Sequence, residues 1–166
     1  IPVLGSIVSK PVFLAKSEIN SWPLIGWLAR RAGTIFILRG HGMVEAKQAI
    51  NQKLRAGYDV VLFPEGTTTD GCQIRRFHAR LFQSALDSNT PVQPVALRYL
   101  RDGQPDLAVP FTNRANLLVS LWRIARNRQT YARVSVCDRL ALEGEQPSRD
   151  KLARQAQEQV ATKMGL

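Results

Sequence analysis

The stretch of the chain whose residue types most directly indicate chemistry is residues 60–71, VVLFPEGTTTDG. Its first residues are β-branched or apolar, as in a buried strand, but Glu65, Gly66 and a run of threonines follow where the strand must end. A turn needs the glycine, yet it does not need the carboxylate of Glu65. Glycine-rich turns also expose backbone N–H groups that can bind an anion. The stretch therefore predicts a polar binding site immediately after a strand.

Two other apolar segments end in a cation. Lys16 follows PVFLA at residues 11–15, and Arg39 follows TIFIL at residues 34–38. In parallel α/β sheets, ligands bind beyond the carboxyl ends of the strands. If the three strands are neighbours, both cations and Glu65 meet at one edge, where they could bind a phosphate. Taken singly, each residue has a plainer explanation: the cations as solvated surface charges, and Glu65 as a helix cap or a salt-bridge partner of Arg39.

The elements that must position these residues alternate along the chain. Strands are predicted at residues 11–15, 34–38, 59–63, 92–99 and 131–137, helices at 17–31, 43–56, 79–87, 116–126 and 148–164, and a turn at 101–104. Such alternation indicates an α/β fold with a mainly parallel sheet flanked by helices. Because no linker or repeat divides the sequence, a single domain over residues 1–166 is predicted.

The basic excess of the chain indicates an anionic partner. The 166 residues carry a formal net charge of +10, and 45% of them are hydrophobic, as in an ordinary folded domain. Basic residues are scattered and are not interleaved with aromatic ones, so nucleic acid is not the expected partner. Cys72 and Cys137 lack CxxC spacing and neighbouring histidines, so no metal is expected. No apolar run approaches the about 18 residues of a membrane-spanning helix.

Three blocks in order resemble the PlsC-type glycerolipid acyltransferases, the family that includes the 1-acylglycerol-3-phosphate acyltransferases. The first is the strand GTIFILR, which ends at Arg39, and the last is VQPVAL, which contains Pro94 and Val95. Between them, the block FPEGT is matched residue for residue by Phe63, Pro64, Glu65, Gly66 and Thr67. The resemblance covers residues 1–99 well and the rest loosely.

This resemblance implies a fold and an activity. The fold would be the PlsC-type α/β fold. The reaction would move an acyl group from acyl-CoA or acyl carrier protein to the free hydroxyl of a lysophospholipid similar to 1-acyl-glycerol-3-phosphate, in bacterial membrane lipid biosynthesis. No cofactor or metal would be needed. An anionic membrane surface would be a partner, at the cytoplasmic face of the inner membrane. Residues that would bind the acceptor are Lys16, Arg39, Phe63, Pro64, Glu65, Gly66 and Thr67, and those that would line an acyl pocket are Pro94 and Val95.

The catalytic block of the family, a histidine followed four residues later by an aspartate, is absent from the chain. His41 is followed at that distance by Glu45, and His78 by Phe82. Because this block precedes the other three in the family, we expect it upstream of Ile1, in a domain that is truncated at its N-terminus. No catalytic residue is then visible in the chain, which by itself is expected to bind substrate but hardly to catalyse.

A second departure concerns the acceptor. Many members of the family have a basic residue directly after FPEGT, where this chain has Thr68. A relative acting on another lyso-lipid, such as a lyso-ornithine lipid, therefore stays open. A different class of function also stays open, that of a non-catalytic module that binds lipid or phosphate. The basic, apolar helix predicted at residues 116–126 could lie on a membrane surface or pack in the core.

Overall fold

The computed structural model describes two compact units of the chain. The first comprises Ile1–Phe63 and Leu81–Thr90, and the second comprises Pro64–Arg80 and Pro91–Leu166. The residues described are 1–22, 25–37, 43–69, 71–106, 109, 126, 129–142 and 148–166. The predicted helix at 116–126 lies outside this description, apart from Arg126. None of the helices within these ranges is both long enough and apolar enough to cross a membrane.

The first unit is built on a parallel sheet. Its elements are α1 (Pro2–Ile7), β1 (Pro11–Lys16), a 3-10 helix (Ser17–Ser21), α2 (Ile25–Arg31), β2 (Ile35–Ile37), α3 (Met43–Arg55), β3 (Asp59–Val61) and α4 (Gln83–Asp87). The strand order is β2-β1-β3, and both pairings are parallel. Val12 of β1, Ile35 of β2 and Ile50 of α3 form the buried core. Helix α3 therefore packs on the sheet by the apolar face that its helical spacing predicts.

The predicted helix at residues 17–31 is wrong as one element. The chain instead forms a 3-10 helix, Ser17–Ser21, and then α2 from Ile25. Pro23 explains the break, because proline has no N–H to donate and disfavours helical geometry in the residue before it. The Asn20 carbonyl then lies so close to Gly26 that a side chain there would clash with it. The predicted helix at 79–87 likewise divides, into a 3-10 helix (Ala79–Phe82) and α4.

The second unit contains an antiparallel sheet. Its elements are β4 (Val95–Arg101), β5 (Gln104–Pro105), β6 (Thr130–Val136) and α5 (Arg149–Met164). The strand order is β5-β4-β6. The alternation of helices and strands did not predict this second sheet, although the α/β class itself is confirmed. The turn predicted at 101–104 is confirmed: Asp102 and Gly103, both with positive φ, form the two-residue loop between β4 and β5.

Local chemistry sets the limits of β4 and α5. Pro94 cannot donate a hydrogen bond, so β4 begins at Val95 instead of at the predicted residue 92, and Val92 forms only an isolated bridge with Leu140. Helix α5 is capped at both ends, which agrees with the prediction for residues 148–164. The Ser148 hydroxyl accepts a hydrogen bond from the N–H of Lys151, and Gly165 ends the helix in the left-handed conformation.

Candidate functional site

The three strands that carry the predicted binding residues are neighbours. Lys16 is the last residue of β1 and is the register partner of Ile37, the last residue of β2. β3 runs parallel to β1 on its other side, so all three carboxyl ends point to the same edge of the sheet. Arg39, two residues after β2, lies outside the described residues. The prediction that the strands are adjacent is confirmed, whereas the roles of Lys16 and Arg39 in binding remain predictions.

The chain leaves β3 through Phe63 and enters the second unit at Pro64. Phe63 is 42% exposed. Its strand, predicted to run to residue 63, already stops at Val61. We call residues 64–78 the signature loop. It is closed on itself, because the N–H of His78 donates a hydrogen bond to the carbonyl of Pro64 at 2.9 Å. Compact surface loops whose ends meet in this way are frequently functional.

The half-buried carboxylate of Glu65 is held inside the signature loop. Its Oε2 atom accepts a hydrogen bond from the backbone N–H of Arg75 at 3.0 Å. The contact is with the peptide group of Arg75, whereas the predicted pairing of Glu65 with Arg39 involves a residue outside the described ones. Further along the loop, the Thr69 hydroxyl donates to the carbonyl of Gln73 at 3.4 Å. Glu65 therefore ties the beginning of the loop to its end.

Gly66 cannot be replaced without moving its surroundings. Its φ of +67° lies in the left-handed region, and a Cβ atom there would be 3.0 Å from Nε2 of His78. His78 does not fit the family's catalytic histidine, because Phe82 stands where the aspartate would follow. Its ring nevertheless lies close to Gly66 of the FPEGT block. Its packing depends on a close approach within the folded loop, and no sequence spacing signals that approach.

Residues 66–68 form an exposed part of the signature loop. Gly66, Thr67 and Thr68 are all exposed, and within the described ranges their N–H groups donate no hydrogen bond to the protein. Consecutive N–H groups next to a residue in the left-handed conformation can form the kind of concavity that binds anions. This part of the loop can therefore accept a negatively charged or strongly polar group without a metal.

A residue far away in the sequence also holds the signature loop. The N–H of Phe77 donates a hydrogen bond to Oε1 of Gln157, on α5, at 3.0 Å. Phe77 itself is buried, at 8% exposure. The two residues are 80 positions apart, and no periodicity or motif marks Gln157, so sequence reasoning missed it.

The predicted acyl-pocket residues lie at the start of β4. Pro94 is buried, and its carbonyl accepts a hydrogen bond from the N–H of Cys137 at 3.1 Å. Val95 is half-buried and pairs with Val136 of β6. Both residues are thus part of the sheet framework of the second unit. That they line an acyl pocket stays a prediction.

The chain belongs to the acyltransferase family: the sequence profile described as Acyltransferase matches residues 1–98. The resemblance drawn from the FPEGT block and its neighbours is thereby confirmed. The chain is 43% identical, over 161 residues, to a lyso-ornithine lipid O-acyltransferase from Pseudomonas aeruginosa, and this match covers 96% of the chain and 61% of that protein. It is 38% identical, over 143 residues, to a 1-acyl-sn-glycerol-3-phosphate acyltransferase from Neisseria meningitidis. This match covers 84% of the chain and 56% of that protein.

A solved structure shows the same fold. The crystal structure of the 1-acyl-sn-glycerophosphate acyltransferase PlsC from Thermotoga maritima matches with a TM-score of 0.69 and 20% sequence identity. The match covers 99% of this chain and 59% of that one. The chain thus spans roughly three fifths of the length of the proteins it matches.

Proposed function

We propose that the protein transfers a fatty acyl group from a thioester, acyl-CoA or acyl carrier protein, to the free hydroxyl of a lyso-lipid. Membership of the acyltransferase family supports this, as do the names of the relatives, which act on lyso-ornithine lipid and on 1-acyl-sn-glycerol-3-phosphate. The observation that carries the proposal is the signature loop. There the Glu65–Arg75 hydrogen bond organises the FPEGT block, and residues 66–68 are exposed.

The proposed reaction is a direct transfer. The acceptor oxygen attacks the carbonyl carbon of the thioester, an ester bond forms, and the carbon–sulfur bond breaks. The hydroxyl proton passes to a base and then to the departing thiolate, so the products are an acylated lipid and a free thiol. General-base assistance contributes about 10²–10⁴-fold. The proposed base is the histidine of the family's His-x4-Asp block; neither His41 nor His78 fits that spacing.

We assign the binding residues as follows. Lys16 and Arg39 would neutralise the anionic group of the acceptor, since cations suit phosphate and carboxylate. Residues 63–67 would bind its polar backbone, with Gly66 and Thr67 contributing N–H groups and a hydroxyl. Pro94 and Val95 would contact the acyl chain. No cofactor or metal takes part in this scheme.

Lyso-ornithine lipid is the acceptor that we favour, and 1-acyl-glycerol-3-phosphate is the second candidate. The match to the lyso-ornithine lipid enzyme is both longer and more identical than the match to the glycerol-phosphate enzyme. Thr68 stands where many members of the family have a basic residue, and a carboxylate headgroup needs less positive charge than a phosphate. The second candidate keeps the support of the complete FPEGT block.

The proposed location is the cytoplasmic face of the inner membrane. A net charge of +10 favours association with anionic lipid, because each basic residue near such a surface contributes about 1 kcal/mol. The same basic surface suits an acidic acyl carrier protein as donor. Nucleic acid is not among the proposed partners.

Thiol release tests this proposal. The full-length protein is incubated with acyl-CoA or acyl carrier protein thioester, with and without lyso-ornithine lipid or 1-acyl-glycerol-3-phosphate, and the free thiol is followed. We expect release that depends on the acceptor and is faster with lyso-ornithine lipid. An Arg39→Ala variant is expected to raise the acceptor KM. Release that is equally fast without any acceptor would contradict acyl transfer to a lipid and indicate thioester hydrolysis.

A further inference from the structure

We propose that helix α5 belongs to the acceptor-binding apparatus, with Gln157 as a positioning residue for the signature loop. This inference rests on the proposed function, because it concerns the loop that would bind the acceptor. The sequence profile of the family ends at residue 98, so α5 lies beyond the part of the chain that carries the family's motifs.

The described residues of the signature loop form no regular element of their own, and the loop depends on individual hydrogen bonds. His78 to Pro64 and Arg75 to Glu65 are both internal to the loop. The side chain of Gln157 reaches the loop from another element, α5, and accepts a hydrogen bond from it. Internal bonds preserve the shape of a loop, but its position is determined by what ties it to the rest of the unit.

Gln157 is well placed to serve as that tie. It lies four residues after Ala153 and three before Val160, so it shares the buried side of α5 with both. The helix is also capped at both ends. The side chain of Gln157 thus projects from a helix that its apolar contacts keep in place. It meets the N–H of the buried Phe77, and a buried N–H without an acceptor is unfavourable.

The anchored residue lies next to the groups that hold the FPEGT block. His78, directly after Phe77, contacts Gly66 with its ring and Pro64 with its N–H. Arg75, two residues before Phe77, holds the carboxylate of Glu65. Residues 75–78 therefore support the FPEGT block, and Gln157 supports residues 75–78. A shift of Phe77 would move Glu65 and the exposed residues 66–68 together.

The experiment uses matched variants of the full-length protein. Gln157→Leu removes the acceptor at similar size, and Gln157→Glu keeps an acceptor oxygen. Gln157→Asn shortens the side chain by one methylene group, which moves the acceptor oxygen away from the N–H of Phe77. It provides a milder variant if Gln157→Leu folds poorly. Gln155→Leu is the control, because Gln155 is half-buried on the same helix and its side chain makes no hydrogen bond to the described residues. For each we measure amide exchange at Phe77, the KM of each substrate, kcat and Tm.

We expect Gln157→Leu to speed amide exchange at Phe77 and to raise the lyso-lipid KM, each by about tenfold, the effect of losing one hydrogen bond to a buried donor. The donor KM should stay within about twofold, Gln157→Glu should behave like the wild type, and Gln157→Asn should fall between them. Gln155→Leu should change neither the exchange at Phe77 nor the acceptor KM. A purely structural role would lower Tm and leave the acceptor KM of the folded enzyme unchanged.

An unchanged acceptor KM in Gln157→Leu, or an equal rise in Gln155→Leu, would overturn the inference. Exchange at Phe77 that does not respond to Gln157→Leu would overturn the anchoring itself. The proposed function fails by a different result: a wild-type protein that transfers no acyl group to either lyso-lipid. Because amide exchange needs no turnover, the two failures can be told apart.

Discussion

The carboxylate of Glu65 accepts a hydrogen bond from the backbone N–H of Arg75 at 3.0 Å, across the signature loop. This contact gives a physical reason for a half-buried acid directly after an apolar strand. Glu65 joins the first residues of the loop to its last, and so fixes the loop around Gly66. A carboxylate suits the task, since hydrogen bonds to charged acceptors are stronger than those between neutral groups.

The first prediction separates the hydrogen bond of Glu65 from its charge. Glu65→Ala removes the acceptor, and we expect kcat/KM for the lyso-lipid to fall by about tenfold or more, since bonds to charged groups contribute about 1.5–3 kcal/mol. Glu65→Gln keeps a neutral side-chain oxygen for Arg75, so its loss of activity should be smaller than that of Glu65→Ala. Glu158→Ala, at an exposed site on α5, is the control. Equal losses in the Gln and Ala variants would mean that the charge of Glu65 matters more than its loop contact.

The second prediction concerns the contact between Gly66 and His78. Gly66→Ala must place an alanine at a φ of +67°, at a cost of about 1–2 kcal/mol, and must also displace the His78 ring. Gly103→Ala is the matched control, because its φ is +78° and nothing lies within 4 Å of the added Cβ. We expect both variants to lose stability and only Gly66→Ala to lose acceptor binding. If the two enzymes had the same acceptor KM, the contact with His78 would have no role in binding.

The third prediction is a pH dependence in the first unit. Lys47 and Gln83 both bind the Asp87 carboxylate, and these contacts hold the pKa of Asp87 below its ordinary value. The lowered pKa of Asp87 in the folded state stabilises the protein at pH values above the pKa of this carboxyl group in the unfolded chain, which is near 4. This stabilisation is lost as the pH falls through the pKa of Asp87 in the folded protein. For this largely solvated pair we expect Asp87→Asn to cost about 0.5 kcal/mol at pH 7.

Urea denaturation of the wild type and Asp87→Asn at several pH values measures this difference. It should shrink steadily as the pH is lowered below about 4, where Asp87 becomes protonated in the unfolded and then in the folded chain. Salt at about 1 M should also reduce it, since exposed charges are screened. A difference that is the same at pH 7 and at strongly acid pH would show that the Asp87 charge contributes nothing.

The fourth prediction concerns the two cysteines. Cys137 is buried, and burial raises the pKa of its thiol, so little reactive thiolate is present near neutral pH. Cys72 is exposed. We expect iodoacetamide to alkylate Cys72 rapidly in the native protein and Cys137 only after unfolding, as peptide mass spectrometry would show. Equal alkylation rates in the native protein would contradict the burial of Cys137.

Much of the fold can be predicted from local patterns. The apolar strands β1, β2 and β3 and the helical spacing of α3 are readable because burial of one face requires them. Ser148 and Gly165 likewise mark the ends of α5. Local patterns do not contain strand direction. The pairing of β4 with β6 is antiparallel, and it joins a strand that ends at Arg101 to one that begins only at Thr130.

The candidate site likewise contains residues that the sequence indicates and partners that it does not indicate. Glu65 and Gly66 stand out by residue type, since a strand end needs neither. Their partners do not stand out: Arg75 contributes only its peptide N–H, which every residue but proline has. Gln157 is one of several glutamines on α5, and only the fold brings it to Phe77. Contacts made by backbone groups across the chain are therefore invisible to motif analysis.

The most direct test of acyl transfer to a lyso-lipid is to identify the product in a mixed-acceptor reaction. The full-length protein is given an acyl thioester with equal amounts of lyso-ornithine lipid and 1-acyl-glycerol-3-phosphate, and the lipids are analysed by mass spectrometry while thiol release is measured. We predict a lipid heavier by one acyl group, formed in equal amount to the thiol, with acylated ornithine lipid in excess. Thiol release without an acylated lipid, or no turnover with either acceptor, would contradict the account.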